Sequence, residues 1–161
     1  SLGAEGSWWA TIGGLYADDF GDNTDINIHG AISHFVVEDV EVAFELGLWG
    51  HLQEEDDAFS VNPNIVFRWH FAHDEEKDWT IYADTGIGVM FASDDVPDEG
   101  TSFNFMPRAG MGFTVRLGDS NARWIGGVRW HHISNASQFG TDENPARDSF
   151  MVYAGIMFPL N

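Results

Sequence analysis

The feature that most restricts this chain is an alternation of period two that runs through most of its length and produces two unequal faces. In residues 40–52, Val40, Val42, Phe44, Leu46 and Leu48 share one face, and Glu41, Ala43, Glu45, Gly47 and Trp49 share the other. In residues 102–117, Phe103, Phe105, Met111, Phe113 and Val115 oppose Asn104, Met106, Arg108, Gly110, Gly112 and Thr114. The pattern recurs in eight segments bounded by turn residues: 7–17, 26–36, 40–52, 60–73, 79–92, 102–117, 122–135 and 149–160. The connections alternate between long (18–25, 53–59, 93–101, 136–148) and short (37–39, 74–78, 118–121). No segment has the period of an amphipathic helix. An all-β, eight-stranded antiparallel up-and-down barrel, formed by residues 1–161 as one domain, accounts for this rhythm.

Two barrels fit such an alternation. A soluble one turns the bulky face inward and holds an apolar ligand, which would point Phe44, Leu46, Phe113 and Ile156 at the interior. A transmembrane one turns that face to lipid. The smaller face favours the second. It is rich in Gly, Ala and Met with isolated charges, which suits a narrow lumen packed with side chains. Arg68, Arg108, Arg116, Arg123 and Arg129 fall on it together with Glu41, Glu45 and Asp84, and buried charges require such partners. Trp8, Trp69, Trp79, Trp124 and Trp130 lie on the bulky face, where they suit a membrane-interface girdle. Detergent dependence separates the two classes. The expected location is a bacterial outer membrane. Its barrels commonly end on an aromatic residue, whereas this sequence ends in "MFPLN".

Composition narrows the partners. The net charge of −19 argues against nucleic acid. The absence of cysteine removes thiolate metal sites and disulfides. No apolar run reaches the ~18 residues of a transmembrane helix. The acids cluster at Asp18, Asp19, Asp22 and Asp25, at 54–57, at 74–78 and at 94–99, between the apolar segments, and read as solvated loops. A sharper reading, divalent-cation bridging to anionic headgroups, lacks the spacing of a calcium loop. His29, His51, His70 and His73 show no metal-ligand spacing, so neither a metal nor another cofactor is expected. His131 points to the lumen by parity as a packed polar residue.

The stretch "RWHHISNASQFGTDENPARDSF" concentrates the remaining chemistry. Trp130, His132 and Ser134 share the bulky face of the seventh strand, and Asp148 and Phe150 have the same parity on the eighth. Antiparallel pairing brings His132, Ser134 and Asp148 to one patch at the membrane edge. A serine hydroxyl becomes an effective nucleophile when an imidazole accepts its proton. A carboxylate on the other ring nitrogen fixes the tautomer and stabilises the imidazolium. Side chains at i and i+2 of a strand stand roughly 6 to 7 Å apart on one face, within an imidazole's reach. Asn135 and Asn144 supply amides for an oxyanion. From spacing alone, His-x-Ser is equally the signature of an ordinary polar turn. Arg147, beside Asp148, fits either a substrate phosphate or solvent.

The run "HISNA" followed by "NPARD" resembles the signature of the PagL-type lipid A deacylases, the acyloxyacyl hydrolase family. The resemblance implies an eight-stranded outer-membrane barrel that removes the ester-linked 3-O acyl chain of lipid A without a metal. It implies His132 as general base, Ser134 as nucleophile, Asp148 as the acid, and Asn135 and Asn144 near the oxyanion. The partners would be lipid A or lipopolysaccharide and outer-membrane lipid; a homo-oligomer or a membrane-complex subunit stays open. The sequence departs from the family pattern by carrying Asp148 where Glu is common, which shortens the acid's reach by one methylene. The alternative is a non-catalytic outer-membrane barrel that serves as a structural or assembly subunit.

Overall fold

The computed structural model describes residues 1–137 and 146–160. Nine strands run antiparallel: β1 (Trp8–Asp18), β2 (Thr24–Val37), β3 (Val40–Leu52), β4 (Ala58–His73), β5 (Trp79–Ala92), β6 (Phe103–Phe105), β7 (Arg108–Arg116), β8 (Arg123–Ile133) and β9 (Arg147–Pro159). β6 and β7 are two pieces of one stave, so the barrel has eight. Each stave pairs with its sequence neighbour, and β1 pairs with β9 from Trp9↔Pro159 to Asp18↔Phe150, which closes the sheet. The β3 and β5 spans match those expected from the sequence, and the others differ by a few residues at their ends. β2 begins earlier than expected and takes in Asp25.

The sixth stave breaks where the sequence reading had one continuous strand. Pro107 has no N–H to give to the ladder, and the strand divides around it. The freed groups still find partners: Met106 N donates to Gly88 O at 2.9 Å, and His132 N donates to Pro107 O at 3.0 Å. A further irregularity lies one strand away on β4, where the β4–β5 pairing lapses between Val61 and Asn64, around Pro63, without a change of register. Asn62 Nδ2 donates to Val89 O at 2.7 Å there.

The bulky face points outward. Phe44 is 58 % exposed and Phe113 44 %, with Leu46, Ile65, Ile87 and Val152 likewise exposed, so the ligand-filled soluble barrel is ruled out. All five expected girdle tryptophans are on the outside. Trp8, Trp69, Trp79 and Trp124 lie towards the end that carries the short turns, and Trp130 lies towards the long loops.

The lumen is a packed polar core. Arg129 donates from Nη2 to Asp84 at 2.7 Å and lies over the Tyr153 ring, 4.2 Å from its centroid. Arg108 Nη2 donates to Glu45 at 2.6 Å, and Arg68 pairs with Glu41 and with Asp84. These three acids and three guanidinium groups match one for one, the condition under which charges persist away from water. Tyr82 and Tyr153 hydrogen-bond through their hydroxyls across the lumen. They need glycine opposite: a Cβ on Gly112 would collide with Tyr82 Oη, and one on Gly127 would come within 2.8 Å of Tyr153 Oη. Arg116 is the exception among the basic residues expected inside. It ends β7, stays partly exposed and pairs with Asp78 at 2.9 Å, because its strand runs out at the mouth.

Two substitutions separate the two faces energetically. Asp84→Ala leaves Arg129 with a buried charge and should cost about 3–5 kcal/mol of unfolding free energy. Phe44→Arg on the lipid side should cost about 2–4 kcal/mol. Both are read by tryptophan fluorescence during guanidinium unfolding in lipid vesicles, against Ile87→Val, which should change it by less than about 1.5 kcal/mol.

Candidate functional site

The last two rungs of the β8–β9 ladder are His132↔Asp148 and Ile133↔Arg147. His132 and Asp148 are direct cross-strand partners on the outer face, and His132 Nδ1 lies 3.0 Å from Asp148 Oδ1. The carboxylate accepts the Nδ1 proton, which leaves Nε2 as the basic nitrogen. The shorter acid closes this contact because cross-strand pairing places the two Cβ atoms only about 4.5–5.5 Å apart. The Trp130 ring, two residues along the same face, stacks against the imidazole, 6.0 Å between centroids and 28° between planes. The His132 side chain is 28 % exposed and that of Asp148 60 %, so the pair sits on the surface.

Ser134 follows on the same face, just past the end of β8. Its backbone is fixed by a two-way bridge to Phe105: Ser134 N donates to Phe105 O at 3.2 Å, and Phe105 N donates to Ser134 O at 2.7 Å. This bridge requires β6, so the break at Pro107 and the placement of Ser134 belong to one local arrangement. Among the described residues Ser134 Oγ makes no hydrogen bond to the His132 ring. The structure thus joins His132 to Asp148 on the outer face and fixes the backbone of Ser134 two residues beyond His132.

Asn135 turns the other way. It is buried, its Nδ2 donates to Thr101 Oγ1 at 3.3 Å, and its Oδ1 accepts the Ser137 N–H at 2.9 Å. In this arrangement it holds the turn in which Ala136 and Ser137 take positive φ angles, 54° and 58°. Asn144 lies outside the described residues.

Arg147 faces neither solvent nor substrate, the two roles its sequence position suggested. The parity that turns Asp148 outward turns Arg147 inward, and its Nη2 donates to both oxygens of Asp25 at 2.6 Å. Asp25 is itself buried, which corrects its place among the solvated acids. It accepts from His51 Nδ1 at 2.7 Å, and His51 Nε2 lies 2.6 Å from Ser60 Oγ. Residues far apart in sequence therefore meet behind the site. The signal was parity: Asp25 continues the lumen face of Asn27 and His29, and Arg147 alternates with Asp148.

An apolar groove of about 360 Å³ crosses the outer wall beside Phe105, lined by Phe44, Pro63, Ile65, Ile87, Val89 and Phe105. No group of three or more His or acidic residues among those described could hold a metal.

The His132–Asp148 pair is a small part of the fold's stability, since exposed ion pairs contribute about 0.2–1 kcal/mol. Asp148→Asn should accordingly leave the unfolding free energy within about 1 kcal/mol of the parent, measured as above, so that any loss of activity reports on chemistry.

Among solved structures the barrel resembles Neisserial surface protein A, with a TM-score of 0.71 at 15% identity over 96% of this chain and 99% of that one. It resembles the outer membrane enzyme PagL with a TM-score of 0.66 at 19% identity, over 93% of this chain and 99% of that one. The N-terminal β-barrel domain of Pseudomonas aeruginosa OprF gives 0.61 at 16% identity, over 97% and 98%. At these identities the likenesses establish the fold. Comparison with curated protein sequences finds no match. The family model for lipid A 3-O-deacylase (PagL) matches residues 5–157, nearly the whole barrel. The chain is a bacterial outer-membrane β-barrel and belongs to the lipid A 3-O-deacylase (PagL) family.

Proposed function

We propose that this barrel is a serine esterase that removes the 3-O acyl chain of lipid A from the outer leaflet, with Ser134, His132 and Asp148 as its catalytic residues. The observation that carries the reading is the His132–Asp148 pair on the lipid-facing wall. Polar side chains are disfavoured on a surface that faces hydrocarbon. A hydrogen-bonded base and acid on that face, beside a serine and in a family of lipid A deacylases, suit an ester held in the bilayer.

Ser134 Oγ attacks the ester carbonyl as His132 Nε2 accepts its proton. The carbonyl oxygen becomes an oxyanion. Its donors are N–H groups of the turn after Ser134, with Asn135 and Asn144 as the side-chain candidates. Collapse of this intermediate breaks the bond to the sugar oxygen, which leaves with the proton from His132. Water then attacks the acyl-enzyme, giving its proton to His132, and the free fatty acid departs as Ser134 Oγ is reprotonated. Asp148 holds Nδ1–H throughout and stabilises the imidazolium. The groove beside Phe105 supports an acyl chain lying along the wall within reach of Ser134. The Ser134–His132 hydrogen bond would form as substrate packs against the patch; such bonds often tighten only in the substrate complex.

Ser134→Ala should lower the release of fatty acid from lipid A by at least ~10³-fold, and Asp148→Asn by about 10²–10⁴-fold. Mass spectrometry of lipid A incubated with the folded protein in micelles reads this as retention of the 3-O acyl chain. Unchanged deacylation by Ser134→Ala removes the proposed nucleophile.

A further inference from the structure

The Asp25–His51–Ser60 chain in the lumen has the donor order of a hydrolytic triad. Burial excludes that role, since Ser60 and His51 are 0 % exposed and no ester can reach them. What the chain does touch is Arg147, the residue before the catalytic acid. We propose that Asp25 is a positioning residue of the esterase site: through Arg147 it fixes the start of β9 and so keeps Asp148 opposite His132. This rests on the function proposed above for His132 and Asp148.

The site sits at the end of a ladder. Asp148 belongs to the penultimate rung of the β8–β9 ladder and Arg147 to the last. The end of a strand has fewer ladder bonds to hold it, and terminal segments are the first to open. The His132–Asp148 contact is too exposed to supply the missing restraint. The Arg147–Asp25 pair is not exposed: the side chains retain 5 % and 2 % of their accessibility, and both carboxylate oxygens are engaged at 2.6 Å.

Asp25 in turn is held from two sides. It stands on β2, in register with His51 on β3, and His51 donates to it from Nδ1 at 2.7 Å. His51 is fixed by Ser60 of β4, the hydroxyl of which donates to Nε2 at 2.6 Å, and by parallel stacking on Trp49, 5.9 Å between centroids. A second branch joins Arg147 Nη1 to Gln53 Oε1 at 3.2 Å, and Gln53 Nε2 donates to Asp95 O at 2.9 Å. Thus β2, β3, β4 and two loops converge on one guanidinium at the start of β9. Because successive side chains alternate, holding Arg147 in the lumen obliges Asp148 to face lipid, and a slip of one residue would exchange them.

The test reads position and activity separately. Long-range ¹H–¹⁵N spectra of the His132 ring, in the folded barrel in micelles without lipid A, report whether Nδ1 carries the proton that Asp148 accepts. Asp25→Asn should move the ring to the mixed tautomer pattern of Asp148→Asn, although Asp148 itself is intact. With lipid A, kcat should fall about tenfold or more while KM changes by less than about twofold. Asp25→Glu, which returns a carboxylate, should recover most of this. Glu41→Gln removes a buried carboxylate paired with Arg68 near the short turns and should leave the ring pattern and kcat as in the parent. Should Asp25→Asn fail to fold, the double substitution Asp25→Asn with Arg147→Met removes the same link without a lone buried charge, and it should give the same spectra. A parent-like ring pattern in folded Asp25→Asn overturns the proposal. So do equal losses in Asp25→Asn and Glu41→Gln. Absence of Ser134-dependent deacylation in the parent would instead defeat the functional reading, and the ring spectra would still decide the positioning.

Discussion

In hydrocarbon every backbone N–H and C=O needs a partner from the chain itself, and the structure follows from that constraint. The β1–β9 pairing meets it by joining the first stave to the last over ten rungs, Trp9↔Pro159 to Asp18↔Phe150, so the sheet has no open edge. Closure with eight staves leaves a lumen too narrow for water in bulk, and its contents must then satisfy one another. The alternation of bulky and small residues is the sequence-level consequence. Lipid contacts one face, and the other must fit rings, guanidinium groups and carboxylates into a cylinder of fixed width. Gly112 and Gly127 opposite Tyr82 and Tyr153 are where the fit is tightest.

Where the closed ladder is interrupted, the freed groups are used. Pro107 divides the sixth stave, and the short β6 that results bridges to Ser134 in both directions. Pro63 interrupts β4–β5, and the apolar groove opens along the same row of the wall. Two irregularities thus lie beside the serine, whereas the bulges at Phe35/Val37 and His70/Ala72 lie towards the short turns. A regular sixth stave would leave Ser134 without this bridge.

The alternation was legible in the sequence because it repeats over many residues and each strand votes on the same face. It fixed the stave count, the outward turn of Phe44 and Phe113, the inward turn of Glu41, Glu45 and Arg129, and the meeting of His132 with Asp148 across the hairpin. Less was legible where structure depends on a single residue or on distance around the barrel. Pro107 gave a local warning that the regular pattern of neighbours concealed. Asp25 reads as one more loop acid because the expected second strand starts two residues late, at 26 rather than Thr24, which leaves the lumen parity of Asp25 with no strand to belong to. Its meeting with Arg147 joins residues 122 apart across β1, which lies between β2 and β9, a relation that period-two patterns within strands do not encode.

The proposed site divides its work between two carboxylates of opposite exposure. In the proposed esterase Asp148 has to remain at the surface, because the imidazole beside it is to meet an ester in the bilayer. An exposed carboxylate makes a weak anchor, since solvent and side-chain motion compete for it. Asp25 can be an anchor because it is buried, and for the same reason it cannot touch substrate. Alternation at the start of β9 joins the two roles with one peptide: the lumen holds Arg147, and the next residue is presented to lipid. A narrow barrel filled with paired charges is in this sense more than a plug. Its interior supplies the fixed points that an outer wall, made of apolar side chains in a fluid bilayer, cannot provide for chemistry on its surface.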